Sequence, residues 1–441
     1  MKVVRAAWVL PIDAPPLADG AVVLDGDSVV DVGPFPEMLA RRGDQARERH
    51  GAGGVIDLGS AVLLPALVNA HTHLELSWMT AAPPPRGDFV RWVRAMIGRR
   101  TPPPEEISAC VETALRAVAS SGTGAVGDVG NTDDALAHLR RSPLEGRFFR
   151  EVIGRDARGR ASFEESVRWQ DGNDRVEPGS ASFPASIVPH APYSVSPEVL
   201  ALVAERARRR GDVLSVHLAE SREEVELLQR GEGGLRALFD EIGAVPAGWR
   251  APGLSPAQVL DRAGLLGPHT VAVHGVRLTR EDARLLAARG TTLALCPRSN
   301  RWLGVGEAPF GMLLEEGVRL ALGTDSLASN DDLDMLAELA ALRAIAPGAD
   351  PESLLRAATL GGAEALGLDG SMGSITPGKR ARLIAVRLGG GGATDPRADR
   401  RGAGAPDGSR VRPAPGAPLD DEPYRTLFSS PPPGAVAPIP G

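Results

Sequence analysis

The sequence predicts a (β/α)8 barrel of the TIM type with a small β-sandwich domain built from both ends of the chain. The chain has 441 residues, and short apolar segments alternate with helix-like segments through most of its length. Eight such apolar segments can be counted. Because a typical barrel needs about 250 residues and tolerates insertions, the predicted span 61–369 is long enough for the barrel alone.

The small domain is predicted from the two segments that flank the barrel. Residues 1–60 alternate short apolar segments with Gly, Asp and Pro, a pattern typical of small antiparallel strands. The segment Gly370–Val386 predicts turn, strand, turn and strand, so it can return to complete the same β unit. We therefore expect residues 1–60 and 370–387 to form one composite domain.

The barrel strands are predicted from apolar segments that precede Ala/Leu/Arg/Glu-rich stretches with helical spacing. The helices expected between them include Glu105–Ser120, Pro197–Arg210, Ser221–Gln229 and Arg280–Arg289. The eight predicted strands are Ala61–Ala70, Gly124–Asp128, Arg147–Val152, Ala185–Pro189, Val213–Val216, Thr270–Val273, Thr291–Leu295 and Val318–Leu322.

Residues 388–441 are predicted to be a mobile tail. They are rich in Pro and Gly and contain few large apolar residues, so they cannot bury enough surface to offset the loss of chain entropy. Tyr424, Leu427 and Phe428 are the residues that we expect to dock locally.

Composition excludes several classes of function. Hydrophobic residues make up 43 % and charged residues 24 %, as in an ordinary soluble protein. The net charge of −7 gives no general attraction to nucleic acid or to an anionic membrane, so we expect a small-molecule ligand. The two cysteines, Cys110 and Cys296, cannot form a disulfide scaffold, which favours a cytoplasmic location. We find no self-complementary sequence pattern that would predict an oligomer, so the sequence leaves open whether the protein forms a homo-oligomer.

The histidines give the strongest local signal. His71-Thr72-His73 follows an apolar segment, and in an extended chain residues i and i+2 point to the same side, where both imidazoles can bind one ion. Alone, such a pair is weak evidence for a metal site. However, catalytic groups of a barrel lie at the carboxyl ends of its strands. Four further candidates stand at or just beyond such ends: His190, His217, His274 and Asp325.

Six motifs carry a family resemblance. LLPALVNAHTHLELS, VPHAPYS, HLAES, VHG, CPRSN and GTDS occur in that order and resemble the amidohydrolase superfamily, in the branch of cytosine, guanine, adenosylhomocysteine and aminodeoxyfutalosine deaminases and triazine hydrolases. The resemblance covers about residues 1–386. It implies one metal ion per chain, with the ligands His71, His73, His217 and Asp325.

The implied ligand set agrees with metal chemistry. Three neutral imidazoles and one carboxylate suit Zn2+ with an open position for water, and Fe2+ is the alternative. A bound divalent ion lowers the pKa of its water from about 15.7 toward 7. The expected nucleophile is therefore water.

The resemblance also implies roles around the metal. Glu220 matches the glutamate that shuttles a proton to the substrate ring; the alternative is an exposed acid at a helix start. His274 matches the histidine that contacts the metal-bound water or the departing group, and Asp325 can both bind metal and accept a proton. His190 and Ser194 match substrate-contacting residues, although His190 could equally be a capped loop histidine.

The scarcity of lysine and of cysteine argues against two other kinds of metal site. Binuclear members of the superfamily bridge their metals with a carboxylated lysine on strand four, whereas the two lysines here, Lys2 and Lys379, lie far from that strand. A mononuclear site is therefore expected. Zinc enzymes of the cytidine-deaminase type need a P-C-x-x-C motif, and Cys296 has no second cysteine after it.

The substrate is predicted from three of the motifs. HTHLELS, HLAES and CPRSN are most similar to aminodeoxyfutalosine deaminases, which implies conversion of 6-amino-6-deoxyfutalosine to futalosine and ammonia, on a menaquinone pathway. That substrate carries a benzoate, and a carboxylate favours a bidentate guanidinium. Arg298 in CPRSN is the hypothesised partner; the alternative is that it pairs with a nearby loop acid.

Three alternative functions stay open. One is a deaminase of adenosylhomocysteine, methylthioadenosine or guanine, and another is a triazine hydrolase that displaces chloride or an alkylamine. The third is a non-catalytic metal-binding protein, which the presence of Glu220, His274 and Asp325 together disfavours.

Overall fold

The computed structural model describes residues 1–41, 54–81, 83–173, 183–388, 423–429 and 435–439. Its strands are β1 Lys2–Val9, β2 Leu17–Asp25, β3 Ser28–Pro34, β4 Val55–Asp57, β5 Ala61–Pro65, β6 Leu67–Thr72, β7 Thr123–Gly130, β8 Glu145–Val152, β9 Ala185–Pro189, β10 Leu214–Leu218, β11 Thr270–His274, β12 Thr292–Leu295, β13 Arg319–Leu322, β14 Leu383–Arg387 and β15 Val436–Ile439.

Helices follow most of the central strands. The α-helices described are Phe89–Gly98, Pro104–Ser120, Leu136–Arg141, Ala157–Asn173, Pro197–Arg210, Arg222–Arg230, Gly234–Glu241, Pro256–Arg262, Arg280–Arg289, Pro297–Leu303, Phe310–Glu315, Met335–Ile345, Pro351–Ala357, Leu360–Leu366 and Tyr424–Leu427. A 3-10 helix spans Leu74–Ala81. Among the residues described, no helix has both the length and the apolar character needed to cross a membrane.

Eight parallel strands form the central part of the molecule. They make two four-stranded sheets, in the orders β6-β7-β8-β9 and β10-β11-β12-β13. Beyond β9, the carbonyl of His190 accepts a hydrogen bond from the amide of His217 in β10. At the other junction of the two sheets, between β6 and β13, Thr72 and Asp325 form an isolated parallel bridge. This is a TIM-barrel-type α/β fold, and the second to eighth of its strands agree with the predicted ones to within two residues at each end.

The chain termini meet in a separate mixed sheet. Its seven strands run in the order β15-β14-β5-β1-β2-β3, with β4 paired to β1. β1 is antiparallel to β2 and parallel to β5, and β14 joins the other side of β5 in antiparallel register. The described strands of both ends therefore share one sheet, while the two-layer sandwich and its exact boundaries stay predictions.

The first predicted barrel strand, Ala61–Ala70, is two strands. β5 belongs to the terminal sheet and β6 to the barrel, with Ala66 between them. The Ala66 amide donates to the carbonyl of Arg382 and the next amide, Leu67, donates to Gly122, so the chain changes partner at this point. Apolar composition does not mark the change because both strands are buried on both faces.

The predicted mobile tail contains two structured segments. Tyr424 and Leu427 lie in a short helix and are buried in the main core, and Phe428 packs against that core. Farther on, β15 pairs with β14 in antiparallel register. At these places the burial of apolar side chains offsets the loss of chain entropy that the Pro-rich composition led us to expect. The rest of the tail (389–422, 430–434 and 440–441) lies outside the described residues.

Local signals in the sequence explain where the helices begin and end. The helix Pro197–Arg210 starts with a Ser196 side chain that accepts from the amide of Val199, and it ends at Gly211 with φ 69°. Glycine adopts this left-handed conformation at little energetic cost because it has no Cβ atom. Buried apolar residues on one face of this helix, among them Val199, Leu200 and Val203, pack with strand residues in the main core.

Candidate metal centre and active site

Four side chains predicted as metal ligands converge at the carboxyl ends of the strands. One ligand atom from each of His71, His73, His217 and Asp325 lies within 4.8 Å of all the others. The two Nε2 atoms of His71 and His73 are 3.1 Å apart, and that of His73 lies 3.6 Å from Asp325 Oδ1. All four residues are buried.

The chemistry of these donors fits a divalent cation. Burial, followed by repulsion from neighbouring imidazoles, lowers the pKa of His71 well below its usual value, and burial lowers the pKa of His73 to about 3. The imidazoles are therefore neutral at pH 7, as metal ligands must be. His217 Nδ1 donates to the carbonyl of His190 at 2.8 Å, which leaves its Nε2 unprotonated for a metal.

The backbone bends sharply where it presents these groups. Ala219, His274 and Asp325 have φ values of 49°, 74° and 57°, a left-handed conformation that is uncommon outside glycine and that clusters at functional sites. Gly323 has no space for a side chain, because an added Cβ would lie 2.9 Å from the carbonyl oxygen of His71. The close approach of β13 to β6 therefore depends on this glycine.

Two serines hold the carboxylate of Asp325. The hydroxyl groups of Ser299 and Ser329 lie 2.6 Å and 2.8 Å from Oδ2 and donate to it. Oδ1 stays on the side of the histidine cluster. Burial alone would raise the pKa of Asp325, but the imidazole of His73 and its neighbours hold it below the usual value. Asp325 is therefore ionised at neutral pH.

Glu220 and His274 form a second pair next to the cluster. Glu220 Oε1 lies 3.5 Å from His274 Nε2. His274 Nδ1 donates to Asn300 Oδ1 at 2.9 Å, and its Nε2 has no hydrogen-bond partner among the residues that the structure describes. Burial raises the pKa of Glu220 to about 8 and lowers the pKa of His274. A protonated carboxyl therefore faces a neutral imidazole at pH 7.

A cavity of about 640 Å3 opens onto this centre. His190 and Ser194, predicted to contact substrate, both line it, and His190 Nδ1 lies 2.6 Å from Ser194 Oγ. Its outer part has mainly apolar walls. These include Trp92, Ile97, Ile153, Phe239 and Ile242.

The position of Arg298 favours the alternative role, a pair with a loop acid, over the hypothesised contact with a substrate carboxylate. Arg298 does not line the cavity. Its guanidinium makes a two-pronged ion pair with Asp332, with Nη2 3.0 Å from Oδ2, and it also lies near the buried Glu338. The loop acids satisfy its charge. Within CPRSN, the residues that reach the site are its neighbours Ser299 and Asn300.

Sequence reasoning also missed an acidic network beside the cluster. Glu75 accepts hydrogen bonds from the amides of Asn131 and Thr132, and Asn131 Nδ2 donates to Glu151 at 2.7 Å. Glu151 Oε1 lies 3.8 Å from His217 Nδ1 and lines the cavity. Glu151 occurs in the predicted strand Arg147–Val152, one residue before its end, so the strand-end criterion would have found it.

Comparison with known proteins adds an independent result. The sequence pattern of the amidohydrolase family matches residues 62–414. The chain is 31 % identical over 399 residues to 5-methylthioadenosine/S-adenosylhomocysteine deaminase of Moorella thermoacetica, which covers 87 % of this chain and 85 % of that protein. It is also 31 % identical to aminodeoxyfutalosine deaminase of Deinococcus radiodurans, which covers 79 % of this chain and 81 % of that protein.

A solved structure is also similar. The zinc-bound crystal structure of an adenosine deaminase from Xanthomonas campestris has a TM-score of 0.68 and 28 % sequence identity to this chain. The similarity covers 88 % of this chain and 84 % of the other.

Proposed function

Because this chain belongs to the amidohydrolase family and is a hydrolase of carbon–nitrogen bonds, we propose that it deaminates an aminopurine nucleoside. The observation that carries the proposal is the placement of Glu220 and His274 beside four converging metal ligands, of which His73, His217 and Asp325 line the same cavity as Glu220. Deamination needs an activated water, a proton donor and a proton acceptor at one carbon atom. This centre has a group for each requirement.

The metal is proposed to be one Zn2+ per chain, held by His71, His73, His217 and Asp325. Three neutral nitrogen donors and one oxygen donor match its preferred ligands, and a relative in structure contains zinc. When bound, the ion supplies a water whose pKa is lowered toward about 7. The two lysines of the chain lie elsewhere, Lys2 in β1 and Lys379 donating to Ser374 Oγ, so neither is placed to bridge a second ion.

Glu220 and His274 would divide the proton transfers. The protonated carboxyl of Glu220 donates to the ring nitrogen next to the amine-bearing carbon, which makes that carbon more electrophilic. Water adds to this carbon and gives up its proton to Nε2 of His274, whose other nitrogen is already committed to Asn300. The imidazolium of His274 then protonates the departing amine, and the Glu220 carboxylate takes the proton of the added hydroxyl. The carbon–nitrogen bond breaks, a carbonyl forms, and ammonia leaves.

The proposed substrate is 6-amino-6-deoxyfutalosine, with methylthioadenosine and adenosylhomocysteine as the competing choices. The two groups of relatives carry these names and are equally similar in sequence. All three compounds present an aminopurine ring and a ribose to the inner site and differ in the substituent on the ribose. The residues of the outer part of the cavity must therefore distinguish between these ribose substituents.

The test is turnover of a nucleoside panel by the zinc-loaded protein, measured as ammonia release. We expect at least one 6-aminopurine nucleoside to be deaminated with kcat/KM above about 10⁴ M⁻¹s⁻¹, the lower end of the usual range for enzymes. A protein that contains one zinc ion per chain but releases no ammonia from any of the nucleosides would contradict the proposal.

A further inference from the structure

A buried acid lies behind the turn that carries Glu220. Glu224 is fully buried, and its two carboxyl oxygens accept hydrogen bonds from two successive backbone amides. Oε1 lies 3.1 Å from the amide nitrogen of Ala219, and Oε2 lies 2.8 Å from that of Glu220. Glu224 does not line the cavity. Its carboxyl group therefore serves the backbone of the turn and does not contact a substrate.

The turn needs such support because its backbone is strained. Ala219 has a φ of 49°, and a left-handed residue other than glycine persists only where its surroundings hold it in place. The carbonyl of Ala219 accepts from the amide of Arg277 at 2.8 Å, while Glu224 holds the amides on both sides of it. The next side chain is that of Glu220, whose Oε1 lies 3.5 Å from His274 Nε2. The direction of the Glu220 side chain therefore depends on this turn.

Another helix start in the same protein shows that ordinary capping does not require this contact. Glu224 is the third residue of its helix, and Ser221 is the N-cap. In the helix Arg280–Arg289, Asp282 has the same position and accepts from the amide of the N-cap Thr279, as in an ordinary capping box. Glu224 instead reaches beyond the N-cap to the two amides before it. Those amides are not among the unpaired donors of the helix itself, so helix capping does not explain the contact.

We propose that Glu224 is a positioning residue for the deamination: it fixes the turn at Ala219 and thereby holds the Glu220 carboxyl beside His274. This rests on the proposed function, in which Glu220 transfers the proton. Displacement of a catalytic group by about 1 Å can lower the rate about 100-fold, whereas substrate binding depends on the residues that line the cavity. The loss of Glu224 should therefore lower kcat and leave KM nearly unchanged.

The experiment is a double-mutant cycle on the zinc-loaded protein. Glu224→Gln keeps the size of the side chain but offers one oxygen to two amides, so we expect kcat to fall about 10- to 100-fold and KM to change less than about threefold. In the Glu220→Gln background, the same substitution should lower kcat less than about twofold, because the group that it positions is already lost. Equal losses in the two backgrounds would show that Glu224 does not act through Glu220 and would overturn the inference.

Asp282→Asn is the matched control, since it makes the same carboxylate-to-carboxamide change at the same helix position. It should lower Tm but keep kcat within about twofold of wild type. An equal loss of kcat in this variant would assign the effect to helix capping and overturn the inference. Glu224→Asp keeps both oxygens but is one methylene shorter, and it replaces Glu224→Gln in the same cycle if that variant does not fold.

A crystal structure of zinc-loaded Glu224→Gln gives a readout that does not depend on turnover. We expect the Glu220 carboxyl to move away from His274 Nε2, with the four metal ligands unchanged in position. A Glu220 carboxyl that stays in place would overturn the inference. If the wild type deaminates no nucleoside, the proposed function fails, and the crystal structure still decides whether Glu224 holds Glu220 in position.

Discussion

The inner and outer ends of the cavity differ in how their polar groups are satisfied. At the inner end, Asp325 is held by two serines, and His217 and His274 each donate to a fixed acceptor. At the outer end, apolar side chains surround Arg155, whose buried nitrogen has no partner among the described residues. The difference indicates that the protein's own hydrogen bonds fix the polar groups of the inner end, whereas at the outer end Arg155 Nη1 has no such bond among the described residues.

The largest expected effect comes from removing a metal ligand at the inner end. His217→Ala deletes one of the converging nitrogen donors, so we expect zinc content to fall from about one ion per chain to a small fraction of that. Activity should fall with it, and chelation of the wild-type metal should have the same effect. Metal analysis by mass spectrometry checks this. Two ions per chain in the wild type would contradict a mononuclear centre.

Next in size is the loss of the proton donor. Glu220→Gln keeps the shape of the side chain but cannot exchange a proton, so turnover should fall by about 10²–10⁴-fold while zinc stays bound. Glu223, three residues on in the helix Arg222–Arg230, is the matched control, and Glu223→Gln should keep near-wild-type turnover. Comparable losses in both variants would show that the helix start, not the Glu220 carboxyl, carries the effect.

A smaller effect is expected at the apolar outer wall. Ile242 is 41 % exposed at the cavity, and Ile242→Ser should remove about 1–2 kcal/mol of apolar contact with substrate, a rise in KM of about 5- to 30-fold. The turnover number should be unchanged. Leu314, 39 % exposed away from the cavity, is the control. If Leu314→Ser raises KM equally, the wall does not contact substrate.

The smallest effect on substrate recognition is expected at Arg298. Arg298→Gln breaks the ion pair with the half-exposed Asp332 and should lower stability by about 1 kcal/mol, seen as a reduced Tm. Its KM values for carboxylated and esterified nucleosides should both stay within about twofold of wild type, since the side chain is outside the cavity. A selective rise for the acid would restore the original hypothesis.

These contrasts also separate what the sequence could predict from what it could not. The inner end follows from local patterns: an H-x-H after an apolar strand, and further histidines and an aspartate at strand ends. Barrel topology brings such positions together wherever they occur in the chain. A cluster of histidines and an aspartate at this end of the barrel was therefore predictable from the sequence, whereas the choice of His71, His73, His217 and Asp325 as the ligands came from the family resemblance.

The outer end depends on contacts between distant segments. Arg298 and Arg155 are both arginines near strand ends, and only the position of Asp332 beside one and Trp249 beside the other separates them. The division of Ala61–Ala70 into β5 and β6 has the same origin, because it is set by Arg382 and Gly122, far away in sequence. Composition also cannot show that Tyr424 and Leu427 find room in the core.

The terminal sheet has a consequence for how the protein is made. β5 pairs with β1 on one side and with β14 on the other, so a growing chain leaves the ribosome with one edge of β5 unpaired until the whole barrel has been synthesised. Contacts between such distant segments form slowly, and an open strand edge invites pairing with other chains. Newly made chains therefore expose this edge of β5 to other chains until β14 pairs with it.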